Sequence, residues 1–163
     1  GSISADDVID SISLDTKLIT ITHMSNVLGS VVDVRKICKI ARNKEIVTLI
    51  DGSQSIVHMP INVSELCCDF FVFTGHKLYG PSASGAIYIN QNRFEEMEPF
   101  LGGGSMINFV GKENITYNKA PYKFEAGTPA IGKELQYFSA VLIRTGTLFE
   151  TLFSFVVTST KSQ

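Results

Sequence analysis

The feature of this sequence that most constrains its fold is an alternation of short apolar runs with segments of helical periodicity. Four runs have the length and β-branched content of buried strands, at residues 17–22, 46–50, 69–73 and 85–89. Between the first two, residues 31–42 space their apolar side chains as a helix does, with Asp33 as a candidate N-cap. This order predicts an α/β domain whose sheet is mostly parallel and flanked by helices.

The second half of the chain has a weaker pattern. A short helix is predicted for residues 92–98, and residues 101–128 carry the glycines and prolines of an irregular loop. Another helix is predicted for 131–143, after which the helical period is lost. We therefore divide the chain into a partial domain at 1–143 and a divergent tail at 144–163.

Composition narrows the classes of function that we consider. Apolar residues make up 44% of the chain, enough for one core, and 14 basic against 16 acidic residues give a net charge of −2. This balance predicts no nucleic-acid partner, and no apolar stretch approaches the ~20 residues of a membrane helix. The cysteines Cys38, Cys67 and Cys68 match neither a disulfide framework nor a zinc site, so we expect a cytoplasmic protein without a bound metal.

Polar residues follow three of the predicted strands. They are His23 and Asn26 after the first strand, Asp51 and Gln54 after the second, and Thr74, His76 and Lys77 after the third. Because the carboxyl ends of parallel strands meet at one edge of a sheet, we expect these side chains to form a site for a small molecule.

Lys77 is the residue in this set with the most distinctive chemistry. A lysine that directly follows a buried strand can act as a nucleophile and form a Schiff base with a carbonyl compound. If that compound is pyridoxal phosphate (PLP), Asp51 is the candidate acid for its ring nitrogen, and residues 74–76 could donate to its phosphate. On the local pattern alone, a surface lysine in a loop is the simpler interpretation.

Several separated motifs resemble one known family. They are THMSNVLGS at 22–30, DGSQS at 51–55, HMPINV at 58–63, CDFFVFTGHKLYGP at 68–81, LGGGSMI at 101–107 and KFEAGTPA at 123–130. Their identity and order resemble the SUF-type cysteine desulfurases and selenocysteine lyases of the class V aminotransferase family, from about Thr16 to about Ala140. The chain then corresponds to part of the large PLP-binding domain of a fold-type I enzyme.

The resemblance implies a role for each candidate residue. Lys77 resembles the lysine that forms the Schiff base with PLP, and Asp51 resembles the partner of the pyridine nitrogen. Asn26 and Gln54 resemble residues that contact or orient the cofactor ring, and His23 or Lys77 would move protons. Thr74 and His76 resemble the phosphate-binding pair, and Thr128 resembles a threonine that reaches the phosphate in the other subunit of a homodimer.

The activity that the resemblance implies is removal of sulfur from L-cysteine, with release of alanine and transfer of the sulfur towards a sulfur-acceptor protein for iron–sulfur cluster assembly. In the family, a mobile C-terminal cysteine takes the sulfur, and none of the three cysteines here matches it. We therefore expect this chain alone to be inactive. The alternatives are a non-catalytic remnant, an interaction module that pairs with a full-length desulfurase, and another class V enzyme such as a selenocysteine lyase or an aminotransferase.

One short segment departs from the family pattern. After the lysine motif the family usually has GPTGIG, whereas residues 80–85 of this chain are GPSASG.

Overall fold

The computed structural model describes residues 1–82 and 84–128, together with the backbone at 155–156. The chain divides into two compact units, residues 1–73 and residues 74–163. No helix in the described residues is both long enough and apolar enough to cross a bilayer.

A parallel sheet forms the centre of the first unit. Its strands are β1 (Leu18–Thr22), β2 (Val47–Asp51) and β3 (Phe70–Thr74). β2 lies between the other two, with Leu18 opposite Val47 and Leu49 opposite Phe70, and both pairings are parallel. The predicted order of short strands and the predicted parallel sheet are confirmed.

The principal helix of this unit is α2 (Val34–Asn43), which connects β1 to β2. Asp33 is its N-cap, as predicted, and accepts a hydrogen bond from the Lys36 N–H at 3.0 Å. Shorter helices that the sequence patterns did not reveal are α1 (Ala5–Asp10), α3 (Ser55–His58) and α4 (Val63–Leu66). α1 begins with a capping box formed by Ser4 and Asp7.

Alternate residues of the three strands bury one face of the sheet. Ile19, Ile50 and Phe71 on this face are each at most 8% exposed. The buried stripe of α2 consists of Val34, Ile37, Cys38 and Ala41. The spacing of that stripe is why these ten residues form a helix that packs against the core.

A polar pair links β2 to the start of β3 inside this unit. The Thr48 N–H and hydroxyl both donate to Oδ2 of Asp69, at 2.9 and 3.1 Å, and the Asp69 N–H donates to Thr48 Oγ1 at 3.1 Å. Thr48 is 1% exposed, so these bonds keep its hydroxyl satisfied in the core.

The second unit corrects two expectations. β4 (Gly85–Ile89) is present as predicted and pairs antiparallel with β7 (Phe155–Val156). The predicted helix at 92–98 is reduced to a 3₁₀ turn at Gln91–Arg93. Residues 101–128 are not uniformly irregular, because β5 (Ile107–Val110) and β6 (Ile115–Tyr117) form an antiparallel hairpin. The helix predicted for 131–143 lies outside the described residues.

Candidate functional site

His23 is held in place at the carboxyl end of β1 by its own main chain. Its N–H donates to the carbonyl of Asp51 at 2.9 Å, and its carbonyl accepts from the Val32 N–H at 2.9 Å. The first bond places His23 beside the end of β2, and the second fixes it to the residue that precedes the cap of α2. Two of the predicted site residues are therefore adjacent through their main chains.

The imidazole of His23 is buried and incompletely satisfied. The residue is 4% exposed, and its Nδ1 has no hydrogen-bond partner within the described residues. Burial lowers the pKa of His23, and the negative charge of Asp33 opposes this shift without cancelling it. The ring is therefore neutral at neutral pH, and its unpartnered nitrogen can exchange a hydrogen bond or a proton with a ligand.

Asn26 lies on a tight loop after His23. The Ser25 hydroxyl accepts from the N–H groups of Val27 and Leu28 at 3.2 and 3.1 Å, and Gly29 adopts a positive φ of 68°. Asn26 is exposed at this turn. Its side chain is available to a ligand because the backbone of the loop is ordered by Ser25 and not by Asn26.

Asp51 ends β2, and a close packing contact fixes the turn that follows it. Its Oδ1 accepts from the Ser53 N–H at 2.9 Å, and the Gly52 N–H donates to the Val72 carbonyl at 2.8 Å. A methyl group at Gly52 would lie 1.8 Å from Cζ of Phe71, so only glycine fits beside this buried ring. Gln54 is half-buried and is the N-cap residue of α3.

Thr74, His76 and Lys77 lie together in the second unit. Thr74 ends β3, and its Oγ1 is buried without a hydrogen-bond partner among the described residues. His76 and Lys77 begin a 3₁₀ turn that ends at Leu78. Lys77 is half-buried, whereas His76 is exposed. An orphaned hydroxyl thus lies three residues before the lysine.

The amide of Gly75 corrects one expectation for this segment. We expected residues 74–76 to offer N–H donors to a phosphate, but the Gly75 N–H already donates to the Ser84 carbonyl at 2.7 Å. The Gly75 carbonyl accepts from the N–H groups of Leu78 and Gly80, each at 2.9 Å. Gly75 therefore holds the loop together, and the hydroxyl of Thr74 is a donor without a partner among the described residues.

Thr128 is exposed, and it follows a segment that packs against the triple glycine. The Gly127 N–H donates to the Gly104 carbonyl at 3.0 Å, and Gly127 has a positive φ of 91°. A methyl group at Gly103 would lie 2.7 Å from the Gly127 nitrogen. Of the three glycines, Gly103 is therefore the one that lets two backbones approach closely.

The predicted site residues fall into two groups. His23, Asn26, Asp51 and Gln54 lie at or just after the carboxyl ends of neighbouring strands in the first unit, and Thr74, His76 and Lys77 are nearly consecutive in the second. Sequence patterns singled out Asp33 only as a helix cap, and they assigned no role to Ser84, whose contacts form across a loop. A signal for Ser84 was present in the departure from GPTGIG.

Other features of the described residues do not add to this set. Two cavities of about 480 and 530 Å³ are lined by residues outside it, the first around Val8 and Leu18 and the second around Phe94 and Tyr117. No group of three or more His, Cys, Asp or Glu side chains in residues 1–82 and 84–128 is arranged to hold a metal ion.

Comparisons with known proteins agree with one another. The family described as aminotransferase class-V matches residues 1–142. A probable cysteine desulfurase of Halalkalibacterium halodurans is 45% identical over 141 residues, which are 86% of this chain and 35% of that protein. The crystal structure of the cysteine desulfurase CsdA from Escherichia coli aligns with a TM-score of 0.81 at 35% identity, over 89% of this chain and 36% of that one.

A third similar protein, C-DES, is described as a cystine C-S lyase in complex with its product cysteine persulfide. It aligns with a TM-score of 0.78 at 27% identity, over 88% of this chain and 40% of its own. Another structure of C-DES contains glycine linked covalently to a PLP cofactor. The chain spans about a third of the length of the curated relatives that it matches.

Proposed function

Because the chain belongs to the class-V aminotransferase family, we propose that it is the cofactor-binding core of a PLP-dependent cysteine desulfurase. The proposal rests on two residues that lie close together in sequence at the end of β3. Thr74 has a buried hydroxyl without a hydrogen-bond partner among the described residues, and Lys77, three residues later, is half-buried. A buried polar group without a partner is unfavourable by about 1–3 kcal/mol, so it marks a place where a ligand oxygen would be bound.

The residues of the chain fit PLP by their chemistry. Thr74 would donate its hydroxyl to the phosphate, with His76 as the second phosphate ligand, and Lys77 would bond covalently to the cofactor carbonyl. Asp51 would hold the proton on the ring nitrogen, and Asn26 and Gln54 would hydrogen-bond or orient the ring. Thr128 would reach the phosphate bound by the partner subunit of a homodimer.

Each of these side chains has a defined task in the proposed reaction. The bound cofactor supplies an electron sink for the negative charge that develops on the substrate. Lys77 would hold the cofactor and would hold or return a proton at the substrate. His23 is neutral because burial lowers its pKa, so it can accept a proton that a charged imidazole could not.

We propose that the acceptor of the sulfur is not among the cysteines of this chain, because two of them are buried in the core and the third does not match the family's sulfur-accepting position. Cys38 and Cys68 are each 1% exposed, and burial raises the pKa of Cys38 to about 11 and of Cys68 to about 12. Cys67 is half-buried and donates its thiol to the Ser64 carbonyl at 3.4 Å. A thiolate nucleophile would come from polypeptide beyond this chain or from a partner, so we propose that the chain alone is inactive.

The proposed biological setting follows from the same reasoning. The substrate would be L-cysteine, the products alanine and a persulfide, and the sulfur would pass to an acceptor protein for iron–sulfur cluster assembly. All three cysteines are free thiols, which suits the cytoplasm.

The decisive experiment is covalent trapping of PLP. The purified chain is titrated with PLP and reduced with borohydride, and the modified lysine is mapped by mass spectrometry. Saturable labelling of Lys77 that is lost in Lys77→Ala is expected, and Lys112→Ala, which removes an exposed lysine, is the matched control. Labelling spread over surface lysines would instead favour the non-catalytic remnant.

A lyase that acts on cysteine or cystine is the second candidate, and the likeness to C-DES favours it. The two activities differ in their organic product. A desulfurase yields alanine, whereas a lyase eliminates the sulfur and leaves an unsaturated product that hydrolyses to pyruvate. The two activities are separated by measuring whether alanine or pyruvate is formed from the amino-acid substrate.

A further inference from the structure

Ser84 closes the loop that carries Lys77. We define the lysine loop as residues 75–82 together with Ser84. The Ser84 carbonyl accepts from the Gly75 N–H at 2.7 Å, directly after β3, and Ser84 itself directly precedes β4. The Ser84 hydroxyl donates to the Pro81 carbonyl at 2.6 Å. Ser84 therefore hydrogen-bonds both to Gly75, at the start of the lysine loop, and to Pro81, near its end.

Gly75 is fitted to Ser84 from the other side of this contact. A methyl group at Gly75 would lie 2.0 Å from Ser84 Oγ and 3.2 Å from the Ser84 carbonyl oxygen. The Gly75 carbonyl accepts from the N–H groups of Leu78, which ends the turn of Lys77, and of Gly80, which follows that turn. A change at the Gly75–Ser84 contact is thus transmitted to the turn that holds the lysine.

The hydroxyl of Ser84 makes a contact that an apolar side chain could not make. An apolar residue at position 84 could supply the same main-chain carbonyl to Gly75. It could not donate to the Pro81 carbonyl, so the hydrogen bond to that arm of the loop depends on the hydroxyl.

We propose that Ser84 is a positioning residue for Lys77, acting through Gly75 and Pro81 to hold the lysine loop in the conformation that presents the amine. The inference rests on the proposed role of Lys77. Ser84 forms no bond to cofactor or substrate, and it acts only by restricting the loop.

The first test compares single variants of Ser84 by the rate at which PLP is trapped on Lys77. Ser84→Ala removes the bond to Pro81, and we expect trapping to slow about fivefold, the effect of one hydrogen bond. Ser84→Thr keeps the hydroxyl and should restore a rate close to that of the wild type. Equal rates for Ser84→Ala and the wild type, or a Ser84→Thr variant as slow as Ser84→Ala, would overturn the proposal.

The second test uses the close fit of the two residues. Gly75→Ala alone should slow trapping more than about tenfold, because its methyl group has no room beside Ser84. The double variant Gly75→Ala with Ser84→Gly removes the obstructing side chain but also the bond to Pro81, so its rate should recover to about that of Ser84→Ala. A double variant no faster than Gly75→Ala would count against a coupling through this contact.

A cofactor-free measurement separates this inference from the proposed function. Without PLP, the acylation rate of Lys77 by an amine-reactive ester is measured against that of the exposed Lys112 in the same sample. Ser84→Ala should change the Lys77 rate about fivefold and leave the Lys112 rate unchanged. If the wild type traps no PLP, the proposed function fails. The ratio of the Lys77 to the Lys112 acylation rate then decides the role of Ser84 by itself, and a ratio that Ser84→Ala leaves unchanged refutes that role.

Discussion

Two glycines follow strands that end in proposed site residues, and they are confined by very different neighbours. Gly52 follows Asp51 and lies against the ring of Phe71, which is 0% exposed. Gly75 follows Thr74 and lies against the hydroxyl of Ser84, in a half-buried loop. The first turn is fixed by the apolar core and the second by hydrogen bonds within a polar loop.

This difference indicates that the positions of Asp51 and Lys77 depend on different parts of the structure. The position of Asp51 is tied to the packing of the first unit, so it should be lost only when that core is disturbed. The position of Lys77 depends on a few local contacts, so it can change while the unit around it stays folded.

The largest effect is expected for Gly52→Ala. The added methyl group would overlap a buried aromatic ring that cannot move without disturbing the core, and we expect a loss of about 3 kcal/mol in the free energy of unfolding. Gly75→Ala should lose about 1 kcal/mol or less while impairing Lys77, because its neighbour is a small side chain. Urea unfolding of both variants measures the contrast.

Gly102→Ala is the matched control for this comparison. No atom lies within 4 Å of the position that its methyl group would take. We expect a change below about 0.5 kcal/mol. If Gly52→Ala were as mild as this control, the turn after Asp51 would not be fixed by Phe71, and the contrast with Gly75 would disappear.

A smaller loss is expected when the polar link inside the core is cut. Thr48→Val keeps the shape of the side chain but removes the hydroxyl that donates to Asp69 Oδ2 and accepts from the Asp69 N–H. We expect the variant to lose about 1–2 kcal/mol, because a part-buried carboxylate and an N–H each lose a partner. The exposed hydroxyl of Ser13 is a control site, and Ser13→Ala should lie within about 0.5 kcal/mol of the wild type.

The sequence predicted the parts of the fold whose side chains divide into buried and exposed faces. β1, β2 and β3 were found because each contains a short apolar run that the core buries in part. The hairpin of β5 and β6 was missed because its strands have only four and three residues and lie in a segment whose glycines and prolines predict an irregular loop. α1 was missed because six residues with only Ala5 buried carry no helical period.

The same limit applies to the candidate site. Strand ends and motifs predicted which residues belong to it, since those are local properties. They could not predict that the Gly75 N–H is taken by Ser84, or that Nδ1 of His23 lacks a partner, because both facts depend on residues brought together by folding.

The dependence of stability on pH extends the comparison, through the buried His23. Burial lowers the pKa of His23 from its usual 6.5, so the unfolded chain binds this proton more readily than the folded chain. Stability should therefore be retained above about pH 6.5 and fall as the pH decreases through that value towards the lower pKa of the folded state. Urea midpoints at a series of pH values from 7.5 to about 5 measure the slope.

His23→Gln should flatten that acid limb because it removes the buried imidazole. A His23→Gln variant with the same slope as the wild type would mean that another group binds the proton. The core around His23 would then not be the pH-sensitive part of the molecule.

The smallest perturbation is chemical labelling of the thiols, which tests whether the core of the first unit stays closed. Burial raises the pKa of Cys38 to about 11 and of Cys68 to about 12, so both are protonated and shielded at pH values near 8. Cys67 is half-buried, and it alone of the three should react with a disulfide reagent in the folded chain. In denaturant all three thiols should react. Rapid reaction of all three without denaturant would mean that the core opens easily, and Asp51 would then be held no more firmly than Lys77.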